Sequence, residues 1–185
     1  QSLLKDLPLP ITMCSLGDGS VTEGEVAEAF QMAVLHDLPI LFLIQDNDWG
    51  ISASGDEMRA MDAYEYAAGF KGLKRARTEG NDFIKSYNDV EKAISYVRTK
   101  RKPMLLHAKV PLLGNHTSGV RSEWYRDDLE EHKLNDPLPK IKQLLLDLGE
   151  KKSYLEEVME ETAAIAEQAF EQAKNAAEPL SESLY

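Results

Sequence analysis

Cysteine is almost missing: Cys14 is the only one in 185 residues. A single thiol excludes a disulfide framework and fits a reducing compartment. It sits in a short apolar stretch, so it is expected to be a buried small hydrophobe and not a catalytic thiol. Positive charge is also short, with 21 Lys and Arg against 32 Asp and Glu and a formal net charge of −11. That balance argues against nucleic acid as a partner. No apolar run reaches the length of a membrane-spanning helix, and the start has no signal-peptide pattern. No membrane partner is expected. Internal repeats, low-complexity segments and a second domain are likewise missing from the pattern. What remains is ordinary globular composition, 43% hydrophobic and 29% charged, in a chain long enough for one domain with a sizeable core. The chain begins at Gln1, not Met, and enters its first apolar stretch almost at once. It is expected to be a piece of a longer protein.

The residues 17–52 organise the rest. Ile11–Leu16 is short and apolar, so it reads as a buried strand. Gly17-Asp18-Gly19 follows. Thr22, with Glu25 three residues on, is a capping-box pattern that predicts a helix start. Val26, Phe30, Ala33 and Val34 recur at helical spacing. Leu38–Ile44 is apolar on both faces, as a strand covered on both sides of a parallel sheet would be. It ends at Gln45-Asp46-Asn47-Asp48. This is a βαβ unit with polar groups at two strand C-termini, where open α/β sheets bind ligands.

Asp18 and Asn47 lie 29 positions apart, yet such a fold would bring both to one sheet edge. A carboxylate and an amide oxygen, with a backbone carbonyl and waters, suit Mg²⁺, which usually shares its ligands with phosphate. The glycines flanking Asp18 let a phosphate approach, and the amides of Gly19 and Ser20 could donate to it. Taken alone, Gly-Asp-Gly reads equally well as an ordinary turn; the second arm at Asn47 favours the ligand site.

Further along, residues 1–10 form a lead-in ended by Pro8 and Pro10, and Ala53–Met61 reads as polar and irregular. Asp62 is predicted to cap a short helix through Gly69. Lys71–Thr78 reads as a strand, and Asn88 or Asp89 as the start of a helix to about Lys100, with Val90, Ala93, Ile94 and Val97 on one face. Lys100-Arg101-Lys102 suits the helix C-terminus. Met104–Val110 is a further strand, with His107 as a structural histidine. Residues 111–137 have no periodicity, and a loop this long in a compact domain tends to be functional or disordered. His116 lies there among Thr, Ser and Arg neighbours that could serve a diphosphate or an acid–base step, although residue chemistry alone favours a mobile surface loop slightly. From Leu138 the chain is helical, with Ser153 as the expected cap of a long amphipathic helix. The alternation of strands and helices predicts a mostly parallel α/β sheet flanked by helices. Residues 1–185 are expected to be one domain, with 138–185 its helical C-terminal part.

Gly17-Asp18-Gly19 with Asn47 resembles the thiamine diphosphate motif, in which Gly-Asp-Gly is followed about thirty residues later by an Asn pair. Here Asp46-Asn47 stands where the family usually has Asn-Asn. Within that superfamily the chain is most similar to the α subunit, or α half, of the decarboxylating component of 2-oxo acid dehydrogenases. EGEVAEAFQMA, the Ile51-Ser52 of DNDWGIS, TEGND and KPMLLHAKV all fit. So does the order His116-Thr117, Tyr125-Arg126, Asp136-Pro137 in the long loop.

The resemblance implies a thiamine diphosphate-binding fold and a Mg²⁺ held by Asp18, Asn47 and the Trp49 carbonyl. Gly17, Gly19, Ser20, Asn47, Ile51 and His116 would meet the cofactor, with His116 beside the reacting carbon. It implies oxidative decarboxylation of a 2-oxo acid with acyl transfer to lipoyl. The sequence leans towards a branched-chain 2-oxoisovalerate type over pyruvate. The implied partners are a β subunit or β half in an α2β2-like assembly and a lipoyl-bearing acyltransferase. The implied compartment is the cytoplasm of a bacterium or the mitochondrial matrix of a eukaryote. In some relatives a Ser beside the loop His is phosphorylated; Thr117 stands there, which leaves that regulation open. The family glutamate that activates the cofactor ring belongs to the β part. The chain alone is therefore expected to bind cofactor weakly and to turn nothing over. Two alternatives stay open: a transketolase-like enzyme, which the loop fits poorly, and a non-catalytic subunit-interaction module with a vestigial turn.

Overall fold

Four strands form one parallel sheet in the order β1-β2-β6-β5: β1 (Thr12–Gly17), β2 (Ile40–Asp46), β5 (Lys74–Glu79) and β6 (Met104–Lys109). The computed structural model describes residues 9–117 and 119–184. The lead-in 1–8, Ser118 and Tyr185 lie outside the described residues. The chain divides between Leu138 and Pro139 into two compact units.

In the first unit, side chains alternate across β2 and so fill two layers. Phe42 and Ile44 pack with Phe30 and Ala33 of α1 (Gly24–Leu35) and with Ala63 and Ala67. Leu41 packs on the opposite side with Ala93 and Val97 of α4 (Phe83–Lys100) and with Leu106. Both strands at the middle of the sheet are therefore covered on both faces, as the unbroken apolar runs require. The expected parallel α/β sheet flanked by helices is what forms.

Several local expectations are corrected. The Thr22–Glu25 capping box does not form. Residues Gly19–Thr22 make a 3-10 turn, in which Thr22 Oγ1 donates to the Gly19 carbonyl at 2.8 Å. The hydroxyl is used locally, and α1 starts after Glu23 without a side-chain cap. Cys14 is only half-buried, because β1 is an edge strand whose Met13 is 55% exposed. The stretch read as irregular after Ser52 holds β4 (Ala53–Ser54), which pairs antiparallel with β3 (Trp49–Gly50), and then α2 (Gly55–Met58). A Ser54–Glu57 capping box starts α2. Helix α4 begins at Phe83, six residues ahead of Asp89. Its cap is Asp82, which accepts from the Lys85 amide at 2.9 Å, while Asp89 pairs with Lys85 and Lys92. The Asp62 cap forms as expected, in a reciprocal box with Glu65 ahead of α3 (Ala63–Tyr66). Residues 111–137 are not structureless, since they contain α5 (Leu129–Leu134).

The second unit is helical, as expected from residue 138. Helix α6 (Pro137–Asp147) ends where Gly149 takes φ +97, and the amides of Gly149 and Glu150 return to Leu146 and Leu145. That left-handed closure favours glycine. Helix α7 (Lys152–Lys174) starts after Lys151 without a side-chain cap, so Ser153 lies inside its first turn instead of capping it. On its apolar side Leu155 is buried, whereas Val158, Ile165 and Phe170 are exposed. Among the described residues no helix is long and apolar enough to cross a membrane.

Phe30 is fully buried and meets the rings of Phe42, Phe70 and Tyr66 at 4.8, 5.2 and 6.4 Å. Phe30→Ala should lower unfolding free energy by about 3–5 kcal/mol. Denaturant unfolding of the two proteins measures this, and a loss below about 1 kcal/mol would contradict the packing described.

Candidate functional site

The site follows from strand register. Gly17 pairs with Gln45 across β1 and β2. Because the strands are parallel, the next residues, Asp18 and Asp46, emerge side by side at the C-terminal edge of the sheet. Asp18 and Asp46 are buried, and Asp48 is exposed. One carboxylate oxygen from each of the three lies within 4.8 Å of the others.

The guanidinium of Arg59, just past α2, stands among them. Its Nη1 donates to Asp18 Oδ2, and its Nη2 donates to Asp46 Oδ1 at 3.1 Å and Asp48 Oδ1 at 2.5 Å. Asp46 has further partners on β6. His107 Nε2 lies 2.6 Å from its Oδ2, and Lys109 Nζ lies 3.0 Å from the same oxygen. His107 is buried. Its Nδ1 has no hydrogen-bond partner among the described residues, with Asp62 Oδ2 3.8 Å away.

These contacts push the two buried carboxyls in opposite directions. Burial raises Asp18 above the usual carboxylate range, and the hydrogen bond from Arg59 offsets only part of that. Burial acts on Asp46 too, but the hydrogen bonds from His107 and Lys109 and the charges of Lys109 and Arg59 outweigh it, holding Asp46 well below that range. Burial works against the charged form of Arg59 as well, and its carboxylate partners, Asp18 first, more than compensate.

The expected site residues are placed as follows. Gly17 ends β1, and Gly19 and Ser20 open the 3-10 turn, with no partner for their amides among the described residues. A Cβ on Gly19 would sit 3.8 Å from the Gly50 Cα, so the first turn lies against the β3–β4 hairpin. Asn47 is half-buried, and its Oδ1 accepts the Trp49 amide at 3.0 Å. Ile51 is exposed, in the hairpin turn, with φ +60. Asn47 lines a polar cavity of about 290 Å³ with Asp46, Asp48, Glu79, Lys109 and His132. Asp18 lines a different cavity of about 240 Å³ with Arg59, Met58 and Tyr66. The carboxylates gathered with that of Asp18 are those of Asp46 and Asp48, and Arg59 donates to all three. His116 is exposed and makes no hydrogen bond or ion pair with the described residues.

The long loop returns to the same turn by another route. Asp128 accepts from Trp49 Nε1 at 2.8 Å and from Arg126 Nε at 2.7 Å. Arg126 also donates to the Leu112 carbonyl at 3.1 Å and lies 5.3 Å from the Trp49 ring, while Tyr125 meets that ring edge-on at 5.6 Å. The Tyr125-Arg126 pair and the Trp49 turn, noted separately in the sequence, are therefore one packed assembly.

Sequence reasoning missed Arg59, Asp128 and the Asp46–His107–Lys109 cluster. The Ser54-x-x-Glu57 spacing could have signalled the short helix that delivers Arg59. Alternation along β6 could have put His107 and Lys109 on one face, though not against Asp46.

The class is that of open parallel α/β sheets, and the carboxylates gathered about Arg59 lie at the carboxyl ends of the strands, where such sheets bind their ligands. The comparison with known proteins is more specific. Residues 10–182 match the dehydrogenase E1 component, and the chain belongs to that family. It is 31% identical over 173 residues to the pyruvate dehydrogenase E1 component subunit alpha of Rickettsia bellii, covering 92% of this chain and 53% of that protein. It is 31% identical over 149 residues to the 3-methyl-2-oxobutanoate dehydrogenase subunit alpha of Mycobacterium tuberculosis, covering 80% of this chain and 41% of that protein. The chain thus spans about half the length of such relatives or less. Among solved structures, a transketolase from Campylobacter jejuni aligns with a TM-score of 0.46 at 24% identity, over 55% of this chain and 16% of that one.

The sign of the Asp46 shift gives a pH prediction. Its folded carboxyl ionises below the unfolded value, so its contribution to stability is present above about pH 4 and is lost as pH falls through the folded value. Asp18 acts the other way, since its raised value makes protonation relieve a cost of burial. Asp46→Asn should therefore cost about 1.5–3 kcal/mol at pH 7, and the gap from wild type should narrow steadily below pH 4. Urea midpoints across pH 3–7 measure it; a gap independent of pH would contradict the assignment.

Proposed function

We propose that this chain is the α part of a thiamine diphosphate-dependent 2-oxo acid dehydrogenase and supplies the Mg²⁺ and diphosphate half of the cofactor site. The observation that supports this most is the meeting of Asp18 with the Asp46–Asp48 turn at the strand ends. The donor set fits the group. It consists of oxygen donors, which suit a small hard cation, and it already surrounds one positive charge, the Arg59 guanidinium. In this reading Asp18, Asn47 and the Trp49 carbonyl hold Mg²⁺. The partnerless amides of Gly19 and Ser20 donate to phosphate oxygens, with Gly17 and Ile51 lining the approach. His116, exposed on the long loop, is the group available beside the substrate. When bound, the cofactor supplies the nucleophilic carbon that no side chain offers.

The substrate is a 2-oxo acid, pyruvate or its branched-chain counterpart, and the family membership supports that class. A β subunit or β half completes the site, and a lipoyl-bearing acyltransferase takes the acyl group. We read 1–185 as one cofactor-binding domain with a helical last part, working in a bacterial cytoplasm or a mitochondrial matrix.

In the complete enzyme, Asp18→Ala should weaken Mg²⁺-dependent binding of thiamine diphosphate by at least about 100-fold. Calorimetry measures this, and unchanged affinity would refute the metal assignment. The chain without its β partner should show no decarboxylation of pyruvate or 2-oxoisovalerate. A robust rate would refute the shared site.

A further inference from the structure

We propose that Arg59 is a resident counter-cation that holds the acidic turns together without metal and gives up Asp18 when a divalent cation binds. The inference rests on the reading of Asp18 as a metal ligand. Three carboxylates this close repel one another, and two of them are buried. The planar guanidinium spans both strand ends at once, which a lysine ammonium cannot do with the same fork. Its seat is built for it. A Cβ on Gly55 would lie 2.0 Å from Asp48 Oδ1 and 2.8 Å from Arg59 Nη2, so any larger residue there would disturb the clamp.

The partners divide unevenly. Asp46 has His107 and Lys109 as partners besides Arg59. Asp18 pairs with Arg59 and with no other cationic side chain among the described residues. Arg59 is thus one of several partners for Asp46 but the group a metal must replace at Asp18. The guanidinium has somewhere to go, because Arg59 lies in extended backbone just past α2 and lines the cavity of about 240 Å³ that it shares with Asp18.

The consequence has an unusual sign. Removing a polar neighbour from a metal site ordinarily weakens binding. Here the guanidinium competes for Asp18, so the cation-competent arrangement is a minor fraction, and its removal raises apparent affinity. The test uses the assembled enzyme with thiamine diphosphate present and follows Mn²⁺ binding by electron paramagnetic resonance. Ligand-free melting is followed alongside. Arg59→Gln should bind Mn²⁺ about ten-fold more tightly than wild type and melt at a lower temperature without ligand. Arg59→Lys should fall between the two in both readouts, and it serves if Arg59→Gln does not fold. Wild type that binds Mn²⁺ while the folded variants bind it equally or more weakly would overturn the inference and leave the metal site standing. Mn²⁺ that binds neither wild type nor any variant would overturn the metal reading, and the inference with it.

Discussion

Everything at the site depends on one register. Parallel pairing of β1 with β2 puts Gly17 beside Gln45, and the two acidic turns then have no choice but to adjoin. The pairing is enforced from both sides of the sheet. Phe42 and Ile44 must face α1, and Leu41 must face α4. A slip of one residue would reverse those faces and bury polar groups. Core packing thus sets the separation of groups that the core does not touch.

Such convergence carries an electrostatic cost, and the fold meets it with hydrogen-bonding side chains from two further places. Arg59 comes from the end of α2, and His107 and Lys109 come from β6, the strand on the other side of β2. Asp46 is fully buried yet holds its charge, because it is surrounded by donors. The turn it begins is fixed by its own Oδ1, which accepts the Asp48 amide at 3.0 Å. Asn47 fixes the next residue in the same way through the Trp49 amide. Trp49 is then tied to the long loop through Asp128. Strand end, hairpin and loop form one connected polar structure, so a change at Asp18 has a physical route to residues 112–132.

Much of this was legible in the sequence, and the limits have physical causes. The strands Leu38–Ile44 and Met104–Val110 were readable because burial on both faces demands unbroken apolar runs. The Asp62–Glu65 box was readable because capping is local. Thr22 misled because a hydroxyl that satisfies a 3-10 turn is spelled the same way as one that caps a helix. The motif singles out Asp18 and Asn47, and nothing in it marks Asp46 and Asp48 as the carboxylates gathered with Asp18. Arg59, Asp128, His107 and Lys109 act across the sheet or across tens of residues. Spacing along the chain carries no trace of such contacts.

The most direct measurement is anomalous diffraction from crystals of the complete enzyme grown with Mn²⁺ and thiamine diphosphate. A single manganese should lie about 2.0–2.2 Å from an Asp18 carboxylate oxygen and from Asn47 Oδ1, with the Arg59 guanidinium withdrawn from Asp18. A manganese bound elsewhere, while Arg59 still grips Asp18, would contradict it.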